Sequence, residues 1–413
     1  MSERRVVVTG MGLITCCGTG VEKTWQSIIH GQSGISNITL FDTSKSESKF
    51  GGQVNDFQPE LFVEKKEVRR MDRFELFALG AADMAMKDAG LQITPEIAER
   101  VGCIVGSGIG GIGSLEEQHS KMLEKGPDRV SAFFILQMIT NLAPGYITMK
   151  YGIKGPSWST VSACSTSAHA IGEAMRGVQR GDMDICVTGG SEASLTPLSF
   201  AGFNAMKAMS TRNDAPQKAS RPFDVDRDGF VMGEGAGILI IEELEHAKKR
   251  GARIHAELVG YGASSDAHHV TAPAPEHEGA QRCMKLALKD AKLNPSDIQY
   301  INTHGTSTPI GDVLEIQGVK KVFGDHAKTL AVSSTKSMTG HMLGAAGAAE
   351  TVICIRALET GILPPTINVE KQDPEIDIDV VPNKAREVRL NTVMSNSFGF
   401  GGTNVTLIAK RFA

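Results

Sequence analysis

Cys164 stands in the run Thr160-Val161-Ser162-Ala163-Cys164-Ser165-Thr166-Ser167, and two histidines follow in segments of similar build. His304 lies in Asn302-Thr303-His304-Gly305-Thr306-Ser307-Thr308-Pro309, and His341 in Lys336-Ser337-Met338-Thr339-Gly340-His341. A cysteine with two separate histidines, and neither CxxC nor HExxH spacing nearby, points to acyl transfer or carbon–carbon chemistry on a thioester. The cysteines and histidines are not spaced in pairs, so no zinc-type set of four ligands is present.

Taken singly, each of these residues has a plainer reading. A free cysteine is most often a buried core residue, and Cys103, Cys186 and Cys354 in their apolar runs take that role. Cys164 differs, with Ser, Thr and Ala around it and a helical pattern of Ala168, Ile171, Met175 and Val178 after it. A thiol in the first turn of a helix feels unpaired N–H groups that favour thiolate and could hold an oxyanion. His341 is expected to open a helix over 342–360, which disfavours its charged form. Glu350, set among Ala345-Ala346-Gly347-Ala348-Ala349, needs a cation if buried, and Lys336 is the candidate.

The elements that must position these groups alternate along the chain. Strands are predicted over 4–9, 101–106, 184–189, 237–241, 298–302, 329–334 and 404–409. Helices are predicted over 74–89, 165–180, 278–292 and 341–360, with Gly90, Gly181 and Gly361 as C-terminal stops. Such alternation implies α/β layers with covered sheets. The polar region 210–236 leads to a hairpin-like strand, and a soft midpoint near 255 divides the chain into halves 1–254 and 255–413. The second half repeats the scheme of the first: a strand, a turn with a reactive residue, then a Gly/Ala-rich helix.

The 413 residues carry a net charge of −4, with no whole-chain basic footprint for nucleic acid. Seven scattered cysteines suit a reducing compartment. With no apolar leader before the first strand and no run of membrane-spanning length, the expected location is the cytoplasm, without membrane insertion. Gly106-Ser107-Gly108-Ile109-Gly110-Gly111 matches the dinucleotide fingerprint, but sits about a hundred residues in and lacks a clear ribose-binding acid. A nicotinamide enzyme using that loop is the remote enzymatic alternative. Asp224-Val225-Asp226-Arg227-Asp228-Gly229 copies half of a calcium loop but has Gly235 at the twelfth position, and reads as a turn. The tail Asn396-Ser397-Phe398-Gly399-Phe400-Gly401-Gly402 alternates rings with glycines, as a ligand-facing loop can.

From Val6-Val7-Val8-Thr9-Gly10-Met11-Gly12 to Gly401-Gly402-Thr403-Asn404 the chain resembles the β-ketoacyl-[acyl-carrier-protein] synthases, in particular the elongating type of bacterial type II fatty acid synthesis. The resemblance implies a thiolase-like fold, two similar α/β halves in five layers (αβαβα), and a homodimer. It implies Cys164 as acyl-accepting nucleophile, His304 and His341 as the decarboxylation pair, Lys336 with Glu350 as their support, and Phe400 as gate. The backbone N–H groups of Cys164 and Phe400 would form the oxyanion hole. Ile109, Phe134, Phe203, Thr271, Thr306, Thr308 and Phe398 would meet substrate. Lys65, Lys66, Arg69, Arg70, Lys207 and Arg212 would dock an acidic acyl carrier protein bearing phosphopantetheine. No organic cofactor is implied, but Asn302, Thr303, Glu350, Ser395 and Asn396 match positions that hold a structural monovalent cation. Two histidines separate the chain from thiolases (Cys, His, Cys) and chain-initiating synthases (Cys, His, Asn). A polyketide-type ketosynthase and a non-catalytic carrier-binding subunit stand as alternatives, although Cys164 argues against the latter.

Overall fold

Two helices lie back to back at the centre of the molecule, Thr166–Arg180 and Ala346–Thr360. Their contact runs through small side chains: a Cβ placed on Gly347 would come 2.8 Å from that of Ala168, so a larger residue there would have to part the helices. Each helix is entered through a single tight turn, Ala163–Ser165 and Leu343–Ala345. Each ends on a glycine of left-handed conformation, Gly181 (φ 83°) and Gly361 (φ 70°), where a Cβ would be strained. The computed structural model describes residues 4–412.

Sheets flank this helical pair. In the first half, Val6–Thr15 runs antiparallel to Gly235–Glu243, which runs antiparallel to Ile185–Glu192. Val101–Gly106 and then Ser157–Trp158 follow in parallel. In the second half, Ala256–Ser265 runs antiparallel to Thr403–Lys410, which runs antiparallel to Thr392–Gly399. Tyr300–Asn302 and then Ala331–Ser333 follow in parallel. Both halves therefore place their strands in the order first, fifth, fourth, second, third. Pairing of Val6, Val7 and Val8 with Leu258, Glu257 and Ala256 joins the two, so hydrogen bonding continues through one eleven-stranded sheet.

Alternation along the strands builds the layers. Leu239 and Ile241 pack on the central helices, while Ile238 and Ile240 pack with the outer helices Arg73–Asp88 and Leu142–Tyr151. In the second half, Val393 and Leu407 face the centre. Met394 and Ile408 face the outer helices Glu278–Ala291 and Gly311–Phe323. The result is helix, sheet, helix pair, sheet, helix, as expected for a thiolase-like fold. Each fully buried aliphatic side chain in these layers contributes roughly 1.5–3 kcal/mol.

Three local expectations need correction. The strand after the polar region is not a hairpin arm; Gly235–Glu243 is central, with a partner along each edge. His341 does not open a helix: the helix starts at Ala346, and His341 bridges to Met232 from the segment after the short helix Lys336–Thr339. The predicted strand and helix ends otherwise move by a few residues, most at Val6–Thr15, which extends well past 9. The calcium-like segment is a turn whose Asp224 bonds Arg221 Nε at 2.9 Å and accepts the N–H groups of Asp226, Glu370 and Lys371.

Candidate active site

The chain brings Cys164, His304 and His341 together: the sulfur and a ring nitrogen of each histidine lie within 4.8 Å of one another. The sulfur sits on the tight turn before Thr166–Arg180, where Ala163 is held at φ 49°, a costly conformation for a residue with a side chain. Ser165 Oγ fastens this turn to the opposite half by donating to the carbonyls of Ser397 (3.0 Å) and Thr403 (2.7 Å). Thr403 Oγ1 donates back to the Ser162 carbonyl at 3.1 Å. The two ends of the Phe400 loop are thereby fastened beside the thiol, and the backbone N–H groups of Phe400 and Cys164 both face the sulfur.

Burial dominates the electrostatics. It pushes the Cys164 thiol up to about 11, against the Lys336 ammonium and the two N–H groups, which pull it down. The helix terminus therefore does not produce a resting thiolate, contrary to the simple dipole argument; desolvation is the larger effect. Both imidazoles are held well below the usual histidine range, by burial first and then by Lys336. They are neutral, as expected for His341, although the cause is not a helix end. The same three donors are the one group of His, Cys and acid side chains among the described residues that converges like a metal site. The neighbouring Lys336 ammonium opposes a cation there.

Each histidine is held by its backbone. His304 and Gly305 donate their N–H groups to Glu315 at 2.8 and 2.7 Å, and Glu315 comes from the helix Gly311–Phe323. His341 donates its N–H to the Val231 carbonyl at 2.7 Å and accepts from the Gly233 N–H at 2.9 Å. The rings meet edge to face with centres 5.3 Å apart, and three of their nitrogens (His304 Nδ1 and both of His341) lack partners. Lys336 and Glu350, both buried, form the expected ion pair. Burial pushes the Glu350 carboxyl up while the ammonium pulls it back.

A cavity of about 410 Å³ opens from these groups to the surface. Phe203, Thr271, Thr306, Thr308, Phe398, Phe400 and Lys207 line it, as do Phe230, Leu343 and His277, which sequence reasoning did not single out. Ile109 and Phe134 do not line it; Ile109 is on the surface and Phe134 on the short helix Phe134–Met138. Lys65, Lys66, Arg69 and Arg70 lie at the short helix Lys65–Val68, also away from the cavity wall. Arg212 donates to the Asp226 carbonyl at 2.9 Å. The dinucleotide-like loop is already filled: buried Glu192 accepts N–H groups from Gly108 (2.9 Å), Ile109 (3.2 Å) and Gly344 (2.9 Å). A carboxylate stands where a pyrophosphate would need positive surroundings, which removes the nicotinamide reading.

The residues matched to a cation site fit one in part. Asn302 Oδ1, Glu350 Oε2 and Ser395 Oγ are buried oxygens without hydrogen-bond partners, and Asn302 and Ser395 are neighbours in register. Thr303 Oγ1 donates to the Ser333 carbonyl at 3.1 Å. The Asn396 side chain points to the other sheet face, where it accepts from Thr406 Oγ1 at 2.8 Å and faces Met284, so only its backbone is on the side of Ser395.

Family models for the β-ketoacyl synthase N-terminal and C-terminal domains match residues 3–247 and 255–370. The chain belongs to the β-ketoacyl synthase family. It is 52% identical over 411 residues to 3-oxoacyl-[acyl-carrier-protein] synthase 2 of Coxiella burnetii, covering 100% of this chain and 99% of that relative. A β-ketoacyl synthase structure from Burkholderia phymatum superposes with TM-score 0.93 at 36% identity, covering 99% of this chain and 100% of that one. A type II PKS ketosynthase, bound to the hexaketide and solved in complex with its acyl-carrier protein, superposes with TM-score 0.92 at 35% identity over 100% of both chains. Among the described residues no helix is long and apolar enough to cross a membrane.

Proposed function

We propose that this β-ketoacyl synthase is a 3-oxoacyl-[acyl-carrier-protein] synthase that lengthens an acyl chain by two carbons. The observation that carries the reading is the convergence of one thiol and two neutral imidazoles in a single cavity, with two backbone N–H groups on the sulfur.

Cys164 attacks the thioester of an acyl group on phosphopantetheine. The acyl carbon gains the Cys164 sulfur and loses the pantetheine sulfur, which takes the thiol proton. The N–H groups of Cys164 and Phe400 hold the oxyanion, and one such donor contributes roughly 10²–10³ in rate. Malonyl thioester then enters. As the carboxylate leaves as carbon dioxide, its electron pair moves toward the thioester oxygen, where His304 and His341 donate. Neutral donors in a dry site require no proton transfer to hold that charge. The carbanion attacks the acyl-Cys164 carbonyl, the Cys164 sulfur leaves as thiolate and takes a proton from solvent, and a 3-oxoacyl thioester results. Burial, helped by the Lys336 ammonium, keeps both imidazoles neutral, and Glu350 balances Lys336. A monovalent cation on the Asn302, Ser395 and Glu350 oxygens would be structural and would satisfy them without entering the reaction.

The partner is acyl carrier protein, met at the cavity rim beside Lys207, with Arg212 and the Lys65–Arg70 group as further basic contacts for an acidic surface. A homodimer explains why Ile109 and Phe134 stand outside the cavity of one chain. The sheet ends on the exposed edge strand Ser157–Trp158, and Ile135, Leu136 and Val161 are also exposed. Such an edge pairs readily with a second copy, which would close the acyl pocket. A cytoplasmic location accords with this chemistry. Identity of 52% to a 3-oxoacyl-[acyl-carrier-protein] synthase 2, against 35% to a type II PKS ketosynthase, favours fatty acid elongation over the polyketide alternative.

Incubation with acyl carrier protein bearing an acyl chain should add that acyl mass to Cys164, and malonyl carrier should release a product two carbons longer. Cys164→Gln should abolish condensation but keep malonyl decarboxylation, because glutamine resembles the acylated cysteine. Acylation elsewhere, or repeated extension before release, would sink the elongation reading.

A further inference from the structure

The cavity contains a third histidine that the reaction as derived does not use. His277 is 4% exposed and lines the same cavity as Cys164, His304 and His341. Its ring meets Phe398 edge to face with centres 4.8 Å apart, and Phe398 in turn lies 5.8 Å from His304. His277 Nδ1 is buried without any hydrogen-bond partner. A buried polar atom left unpaired is costly, and in a substrate cavity the partner that would satisfy it is substrate.

The backbone adds an independent sign. Glu276 (φ 54°) and His277 (φ 53°) are consecutive left-handed residues, and neither is glycine. Asparagine or glycine would occupy position 277 with less strain. A histidine kept there is retained against local backbone preference, as residues at ligand sites often are.

The neighbouring charges decide what kind of group fits. Asp266 also lines the cavity, fixed by the Asn404 side-chain amide at 2.6 Å and by the Ala274 N–H at 3.3 Å. Its carboxylate is close enough to raise the His277 proton affinity, while burial, the larger effect, lowers it to about 4. The ring is therefore neutral at working pH. A substrate carboxylate would meet Asp266 as a like charge, so the acceptor or donor opposite His277 is uncharged. The wall here carries Thr271, Thr306 and Thr308, also neutral polar groups.

We propose that His277 is a substrate-binding residue whose imidazole hydrogen-bonds a neutral amide of the pantetheine arm, beside the Phe398 ring. The inference rests on the condensing-enzyme reading. It assigns this position a share in gripping the arm common to acyl and malonyl substrates, separate from the histidine pair that stabilises the thioester oxygen.

The test uses acyl-pantetheine and malonyl-pantetheine thioesters with the full-length enzyme and with His277→Asn, which suits the left-handed backbone, and His277→Phe, which keeps the ring. One neutral hydrogen bond corresponds to a rise of roughly 3- to 10-fold in KM. That rise is expected for both substrates in both variants, with kcat moving less. His277→Asn should melt at or above the wild-type temperature, so a loss of binding cannot be laid to misfolding. Unchanged KM for both thioesters would overturn the proposal. A rise for malonyl-pantetheine alone would overturn it too, because it would place the carboxylate at His277. Wild-type condensation of carrier-bound substrates is measured alongside: its absence would remove the condensing reading, whereas normal condensation with unaltered variant KM removes only the role of His277.

Discussion

Glu315 grips the backbone of His304: one carboxylate oxygen accepts the His304 N–H and the other that of Gly305. The acid lies eleven residues downstream on the helix Gly311–Phe323, so the His304 loop is folded back onto the helix that follows it. Glu315→Ala leaves the buried Gly305 N–H and the part-buried His304 N–H unpaired, at about 1–3 kcal/mol for the buried one. Urea melting should show that loss, and malonyl decarboxylation should fall more than acylation of Cys164. Equal loss of both half-reactions at temperatures where the variant is folded would argue against a specific hold on His304.

Alkylation of Cys164 should follow its raised thiol pKa. Below about 11 the reactive thiolate grows roughly tenfold per pH unit, so iodoacetamide labelling should climb steadily from pH 7 to pH 10. Peptide mapping should find Cys164 labelled before Cys186, Cys283 and Cys354, which are buried away from the cavity with their thiols pushed up. A rate that levels off near pH 7 would mean a resting thiolate.

Phe400→Ala should separate the two half-reactions. The side chain is 36% exposed at the tip of the loop between Thr392–Gly399 and Thr403–Lys410, so its removal should cost under about 1 kcal/mol in thermal melting. As a gate beside the sulfur it should matter for loading the chain, with acylation down roughly tenfold or more and decarboxylation nearly unchanged. A large drop in melting temperature would make it a packing residue instead.

His255 ties three elements together away from the site. Its ring nitrogens lie 2.9 Å from Asp88 and 2.7 Å from Glu359, which also meets Arg253 and Arg356. Burial works against the charge, but the two acids together raise the His255 pKa above its ordinary value. A raised histidine pKa gives stability that is complete below the unfolded value near 6.5 and is lost as pH rises through the folded one. Denaturant titrations should therefore show the wild type less stable above neutral pH than at pH 6, with the slope reduced in His255→Gln. Identical pH dependence in the two proteins would refute the clasp.

Cys164, His304 and His341 were legible in the sequence as one candidate site, because each sits in a short run whose chemistry is local: Cys164 before an amphipathic helix, His304 after a strand, His341 after Thr339-Gly340. It also determined the duplicated α/β scheme, since the alternation of apolar strands and Gly-stopped helices is written in the chain order. The Lys336–Glu350 pair was legible because a carboxylate among alanines needs a cation. Tertiary structure alone decided the rest. Glu192 closes the Gly-rich loop from eighty-four residues away, which no local motif records. The Cys164 thiol is raised rather than lowered because desolvation depends on what packs around it, and that packing comes from both halves. The Asn396 side chain turns away from that of Ser395 because neighbouring strand residues face opposite sides. His277 escaped notice because nothing in Pro275-Glu276-His277-Glu278 marks it; only the folded cavity, a left-handed backbone and an unpaired nitrogen make it a residue of the site.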